Sequence, residues 1–306
     1  MTHKGHIDRR ALFASGAAAA LLAATGVSAA SLPERRGRFR VALSGGRRDD
    51  SFDPRLLGGH RQPDPSGLFL QVAMVGTLFE TLTEVAADGT LRGELATAWR
   101  SNPDFTAWEF DLRTDVAFHN GAAFSANDVM PFSAYATPAG VLETVARVVP
   151  VDQHLVRFEL NSPDPDLPFR LADPGLCVLP AGHMAEAMEQ GIGTGPYKLR
   201  KFDPGRHLIA DRLDRHHKDG RAAWFDTVEL VGIDSDGVRA EALFTHMVDA
   251  ADLTHAADLA DTGDLTLLPR EGFMSCAVDR CIGLPAQIGA QGPLDNLRAP
   301  QRWWMA

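Results

Sequence analysis

The sequence predicts a mixed α/β fold, on three observations. Alternating apolar and polar segments that read as strands recur from Arg38–Leu43 to Asp226–Ile233. Runs with helical apolar spacing stand among them, as at Leu68, Val72, Val75, Leu78, Phe79 and Leu82. No unit repeats at a fixed period. With 306 residues, 45% of them hydrophobic and 23% charged, the chain holds enough apolar material for a sizeable core in one or two domains.

The elements follow in order. "RFRVAL" reads as a strand, and "SGGRRDDSFDP" as a loop rich in Gly and Asp. The run from Leu68 to Val85 is predicted as one helix with a single buried face. Asp88-Gly89 marks a hairpin turn. "WEFDLR" sets Trp108, Phe110 and Leu112 on one face of a half-buried strand. Asn120-Gly121 predicts a type I′ hairpin turn, which needs positive φ at both central residues. Ser125 and Asp128 have capping-box spacing, so a helix is expected to start there. His119 beside that turn has no second histidine at ligand spacing and reads as structural.

Further on, "ARVVPVDQHLVRFEL" predicts two strands joined at Asp152-Gln153, and "PAGHMAEAMEQG" a short helix ended by Gly191. "GTGPYKLRKFDPGRHLIADRLDRH" is a glycine-rich turn and two strands around Pro204-Gly205. "FDTVELVGI" is a strand, "DGVRAEALFTHMV" a helix, "DAADL" a short strand and "HAADLADTG" a second helix.

Charge argues against nucleic acid as a partner. The formal net charge is −10, whereas binding a phosphate backbone depends on Lys and Arg neutralising it. Residues 1–30 form an expected export leader. Arg9 and Arg10 precede an Ala-rich, weakly hydrophobic run ending in small residues at Ser28, Ala29 and Ala30, the pattern of a Tat-type signal. Of the three cysteines, Cys276 and Cys281 are spaced to close a small loop, and Cys177 stands apart.

Enzymatic motifs are missing. There is no G-x-S-x-G, H-E-x-x-H or G-x-x-x-x-G-K-[ST]. His216 and His217, read as neighbours on a strand, are expected to face opposite sides and not to chelate together. No catalytic residue, metal site or cofactor is expected.

The segment Gly76–Val129 nevertheless has a recognisable order: Leu78, Glu80 and Leu82; Asp88 and Gly89; Leu95, Ala96 and Trp99; Trp108, Phe110, Leu112 and Arg113; then Phe118, His119, Gly121, Ala126, Asp128 and Val129. "GTGPYKL" (193–199) and "DTVELVGIDSDGVRAEALFTHMVDAADL" (226–253) form a second block, and "SFDP" (51–54) precedes both. Together they resemble the family 5 solute-binding proteins that serve ABC importers for peptides, nickel and related solutes.

The resemblance implies a type 2 periplasmic-binding-protein-like first lobe, built on a mixed sheet from residues 38–59 and 151–268, with an α+β subdomain inserted at 60–150. Residues 269–306 would be a crossover and the start of a second lobe. The chain reaches "GPLDNLRAPQRWWMA", similar to the family's entry to that lobe, and stops. The expectation is therefore a truncated or degenerate member with the second lobe missing.

It implies an exported, periplasmic or extracellular protein whose partners are a small solute and ABC importer membrane subunits. The solute would be peptide-like, a nickel complex or a sugar. Ligand-lining positions carried over from the family are Gly58, Gly59, His60, Tyr135, Gly272 and Phe273. The alternative is a single-lobe interaction protein whose unmatched Trp303 and Trp304 anchor another chain.

Overall fold

The computed structural model describes residues 37–57, 67–85, 90–135, 140–253, 265–268 and 275–279. Two main sheets organise them. The larger has seven strands in the order β12-β13-β11-β1-β10-β9-β8. Its centre is β1 (Arg38–Leu43), parallel to β10 (Thr227–Gly232) on one side and to β11 (Ala250–Leu253) on the other. Hairpin partners extend it in antiparallel fashion: β9 (His207–Arg212) and β8 (Tyr197–Asp203) beyond β10, then β13 (Ser275–Asp279) and β12 (Leu265–Leu268) beyond β11. The sheet is mixed, as expected.

A sheet with parallel central strands is covered on both faces, and β1 shows how. Phe39, Val41 and Leu43 join the main apolar cluster on one face, while Ala42 joins Leu243, Val248, Ala251 and Leu253 on the other. Leu243 comes from the helix Asp236–Phe244, capped by the Ser235 hydroxyl accepting from the Val238 amide at 3.4 Å.

The smaller sheet has the order β4-β5-β7-β6, from Ala96–Ser101, Ala107–Leu112, Leu155–Leu160 and Val145–Asp152 respectively. It is antiparallel throughout. As predicted, β5 buries Trp108, Phe110 and Leu112 and turns Glu109 and Asp111 outward. The small sheet runs to Leu160, past the boundary at 150 that the sequence suggested, because β7 pairs with both β5 and β6. A two-stranded ribbon, β2 (Thr83–Val85) with β3 (Leu91–Gly93), precedes it. The Asp88-Gly89 turn between them lies outside the described residues.

Two local expectations are corrected. The long helix from Leu68 stops at Met74, and all seven of its residues are buried instead of one face. Val75 turns extended, Gly76 takes φ +88, and the Thr77 hydroxyl donates to the Val72 carbonyl at 2.7 Å, closing the helix end. At Asn120-Gly121, only Gly121 has positive φ (+88). Gly121 N–H donates to Phe118 O at 2.8 Å, and Phe118 N–H to Ala122 O at 2.8 Å. That is a three-residue loop closed by a glycine bulge, not type I′.

Other local readings hold. The Ser125–Asp128 box forms, with Ser125 N–H 2.8 Å from Asp128 Oδ2, although it opens only a 3-10 turn, Ala126–Asp128. The helix Met184–Gln190 ends at Gly191, whose left-handed φ of +66 favours glycine. The predicted helix at "HAADLADTG" lies outside the described residues, as do the leader, Cys281 and the Trp303-Trp304 end. Cys177 is buried, its thiol donating to Pro174 O at 3.1 Å. Among the described residues, no helix is long and apolar enough to cross a membrane.

Candidate functional site

The parallel centre of the large sheet identifies one edge of interest. From β10 the chain passes through the helix Asp236–Phe244 to β11, crossing from one side of β1 to the other. In open α/β sheets, ligands bind outside the carboxyl ends of the strands at such a switch point. Here that edge carries Ser44, just after β1. Its N–H and hydroxyl donate to Asp252 Oδ1 and Oδ2 at 2.8 and 2.7 Å. Burial pushes the Asp252 carboxyl up, against the pull of Arg239 and of the two Ser44 bonds. Arg239 is buried too, its guanidinium donating to the carbonyls of Asp252, Ile233 and Asp234 at 2.7, 2.6 and 2.9 Å.

Three glycines let backbones close on this edge. A Cβ on Gly46 or on Gly232 would stand 2.1 Å from Gly205 O, so the β8–β9 turn lies directly against the loop after β1 and the end of β10. The candidate ligand residues Gly58, Gly59 and His60 follow that loop but lie outside the described residues, as do Gly272 and Phe273. Tyr135 ends the 3-10 helix Met130–Tyr135, and its side chain is outside the description.

A second polar centre was not foreseen. Glu80, fully buried, accepts from His217 Nε2 at 2.9 and 3.0 Å. Lys218 Nζ lies 3.4 Å from Glu80, 3.1 Å from Glu84 and 2.5 Å from Glu94. Glu94 also accepts from the Thr81 amide and hydroxyl, each at 2.8 Å. Burial works against charge on Glu80, but His217, His216 and Lys218 outweigh it and hold the carboxyl well below the usual range. The one sequence signal for this centre is a glutamate inside the apolar run "TLFETL". Its partners lie more than 130 residues away.

His216 and His217 occupy a turn, not a strand, and their rings lie 4.2 Å apart over Glu80. The expectation that they face opposite sides is thus corrected. Their ligand atoms and a Glu80 oxygen fall within 4.8 Å of one another, close enough for a metal by spacing alone. The proton positions oppose it. Lys218 N–H donates to His216 Nδ1 at 3.2 Å, so Nε2 carries the ring proton and donates to Thr194 O at 3.0 Å. A metal would need that nitrogen's lone pair, and it would meet the Lys218 ammonium beside the same carboxylate. The donor set fits a hydrogen-bonded ion cluster.

Thr194 belongs to the glycine loop 191–195, which backs onto Thr77 and Leu78. Gly195 N–H donates to Leu78 O at 2.9 Å and Tyr197 N–H to Thr77 O at 3.2 Å. A Cβ on Gly193 would fall 2.0 Å from Leu78 O, and one on Gly195 2.4 Å from Thr77 O. Glycine is required there for close approach, not for a phosphate. His119 grips the loop from the other side, its Nε2 2.9 Å from Gly195 O. It is a satisfied buried histidine, as its isolation in sequence implied.

Comparison with known proteins places these features. The family described as "Bacterial extracellular solute-binding proteins, family 5 Middle" matches residues 90–272, more than half of the chain. Di/tripeptide-binding protein 1 of Pseudomonas aeruginosa (strain UCBPP-PA14) is 30% identical over 165 residues, covering 42% of this chain and 30% of the relative. The probable D,D-dipeptide-binding periplasmic protein DdpA of Escherichia coli K12 is 24% identical over 193 residues, covering 57% and 37%. Among solved structures, the PBP AgaA from A. tumefaciens R10, in complex with agropinic acid, superposes with a TM-score of 0.64 at 25% identity, covering 76% of this chain and 48% of that one. The chain thus spans about a third of these curated relatives and about half of the solved structure.

Proposed function

The chain belongs to the family 5 bacterial extracellular solute-binding proteins, and from that membership we propose that it captures a peptide-like solute outside the cytoplasm for an ABC importer. The observation that carries this reading is the family match across 90–272, which spans the small sheet and, in the large one, β8 to β12 but not β1. Two relatives named for di- and tripeptides or D,D-dipeptides favour peptides over nickel complexes and sugars. Capture in a hinged receptor works by differential affinity: the solute binds the closed arrangement better than the open one and shifts the population towards it. No group on the solute is transformed.

The solute-contacting positions in this reading are Gly58, Gly59, His60, Tyr135, Gly272 and Phe273. The first three follow in sequence the described segment 44–57, which leaves the carboxyl edge of β1, where a switch-point ligand belongs. Two glycines there offer backbone N–H and C=O groups without side chains, which suits recognition of a peptide backbone rather than of one side chain. Export by the Tat route is the matching reading of Arg9 and Arg10. Replacing both with Lys is expected to leave the protein in the cytoplasm, as fractionation of the producing cells would show.

The binding test is a thermal-shift and calorimetric series on the purified chain with pooled di- and tripeptides, a nickel–histidine complex and simple sugars. Saturable stabilisation by peptides, with the peptide recovered intact, is the expected result. Stabilisation by sugars or nickel with no response to any peptide would overturn the peptide assignment.

A further inference from the structure

His119 makes more contacts than a filler of the core requires. It sits on the hairpin formed around Ala117 and Ala123, and it meets the glycine loop at three points. Its own N–H donates to Gly193 O at 2.9 Å. Ring Nε2 stands 2.9 Å from Gly195 O, so Nε2 carries the proton and donates. Nδ1 is then a lone pair, and the Gly193 N–H donates to it at 3.3 Å.

We propose that His119 is a pH-sensitive clasp, fastening the glycine loop to this hairpin at neutral pH and releasing the Gly193 amide when the ring takes a second proton. The new proton would sit on Nδ1 and face the Gly193 N–H, donor against donor. Its nearest replacement acceptor is Gly191 O, at the longer distance of 3.4 Å. Gly193 has no room to retreat, because its backbone already abuts Leu78 O and the Phe79 ring. Protonation therefore turns Nδ1 towards the Gly191 carbonyl and leaves the Gly193 amide without its acceptor.

Charged and titratable groups face His119 from two elements, and the cations among them oppose its protonation. From β8, the Lys198 ammonium donates to the His119 carbonyl at 3.1 Å. From the turn after β9 comes His216, with Glu80, His217 and Lys218 around it. Burial is the main cause; the Gly195 and Gly191 carbonyls pull the other way, Lys198 and His216 add to burial, and the balance holds His119 below the ordinary histidine value. The sign follows. With the folded pKa below the unfolded one, the clasp's contribution is present above about pH 6.5 and is lost as pH falls through the folded value.

Hydrogen exchange of the Gly193 amide, corrected for intrinsic rates, tests this on the full chain between pH 7.5 and 4.5, with His119→Gln as comparison. Glutamine keeps an N–H for Gly195 O but does not titrate. Protection of Gly193 is expected to fall at least about tenfold on acidification in the wild type, since one pH unit changes the protonated fraction about tenfold, and to stay flat in the variant. A flat wild-type profile, or the same fall in both proteins, would overturn the proposal. Nitrogen NMR of the wild-type ring gives a second reading that does not depend on the variant folding. A proton on Nε2 at neutral pH is expected, and one on Nδ1 would sink the clasp.

Discussion

Gly193 and Lys218 carry opposite lessons about what one side chain decides. Adding a methyl at Gly193 drives it against a backbone carbonyl, which cannot rotate away. Gly193→Ala is expected to lower the unfolding free energy by about 1–3 kcal/mol in urea titrations, the range for overpacked sites. Gly182→Ala, which meets open space, should change it little. At Lys218 the loss would be electrostatic. Lys218→Met leaves Glu80 and Glu94 buried without their ammonium, for an expected loss of about 3–5 kcal/mol. Adding Glu94→Gln should recover part of it, because the two sites share one network. Glu80 also sets an acid limit. Held below its usual 4.5, it stabilises the fold above that pH and ceases to do so as pH falls through its lower folded value. Urea midpoints from pH 6 to 3 should therefore drop more steeply in the wild type than in Glu80→Gln.

Among the elements, legibility tracked whether the signal was local. The β5 alternation, the Gly191 helix end and the Pro204-Gly205 hairpin follow from neighbours in sequence, and all were readable. The helix from Leu68 was overextended because Leu78, Phe79 and Leu82 keep helical spacing while being buried by other parts of the fold. At His216 and His217 nothing local distinguishes a turn packed on Glu80 from a continuing strand, so the sequence alone points to the wrong geometry. On the outer face of the small sheet, Arg100, Glu109, Asp111, Arg157, Glu159 and Arg147 alternate in sign across all four strands. These pairs are exposed and screened, so the sheet rests on its inner face. Phe110, packed near Trp99, Trp108 and Phe158, is the element's keystone. Phe110→Ala is expected to lose about 3–5 kcal/mol, as calorimetric melting would show.

At the scale of the molecule, two sheets share one continuous apolar cluster, so the small sheet and the large sheet are joined by core as well as by backbone. Polar joints reinforce that union: Glu80 and Glu94 to Lys218, and His119 to the glycine loop. The family order of motifs was readable in sequence because it lies in short blocks, each fixed by a turn, a cap or a close approach. Of the candidate contacts, five lie outside the described residues and Tyr135 ends the 3-10 helix Met130–Tyr135. What the account requires is that this chain recognises peptides and leaves them whole. Isothermal titration of the purified chain with a panel of di- and tripeptides measures that. Saturable binding of at least one peptide, weakened when Gly58 and Gly59 are both replaced by Val, is the expected result. Binding that is unaffected by those replacements would contradict the site, and cleavage of the bound peptide would contradict the function.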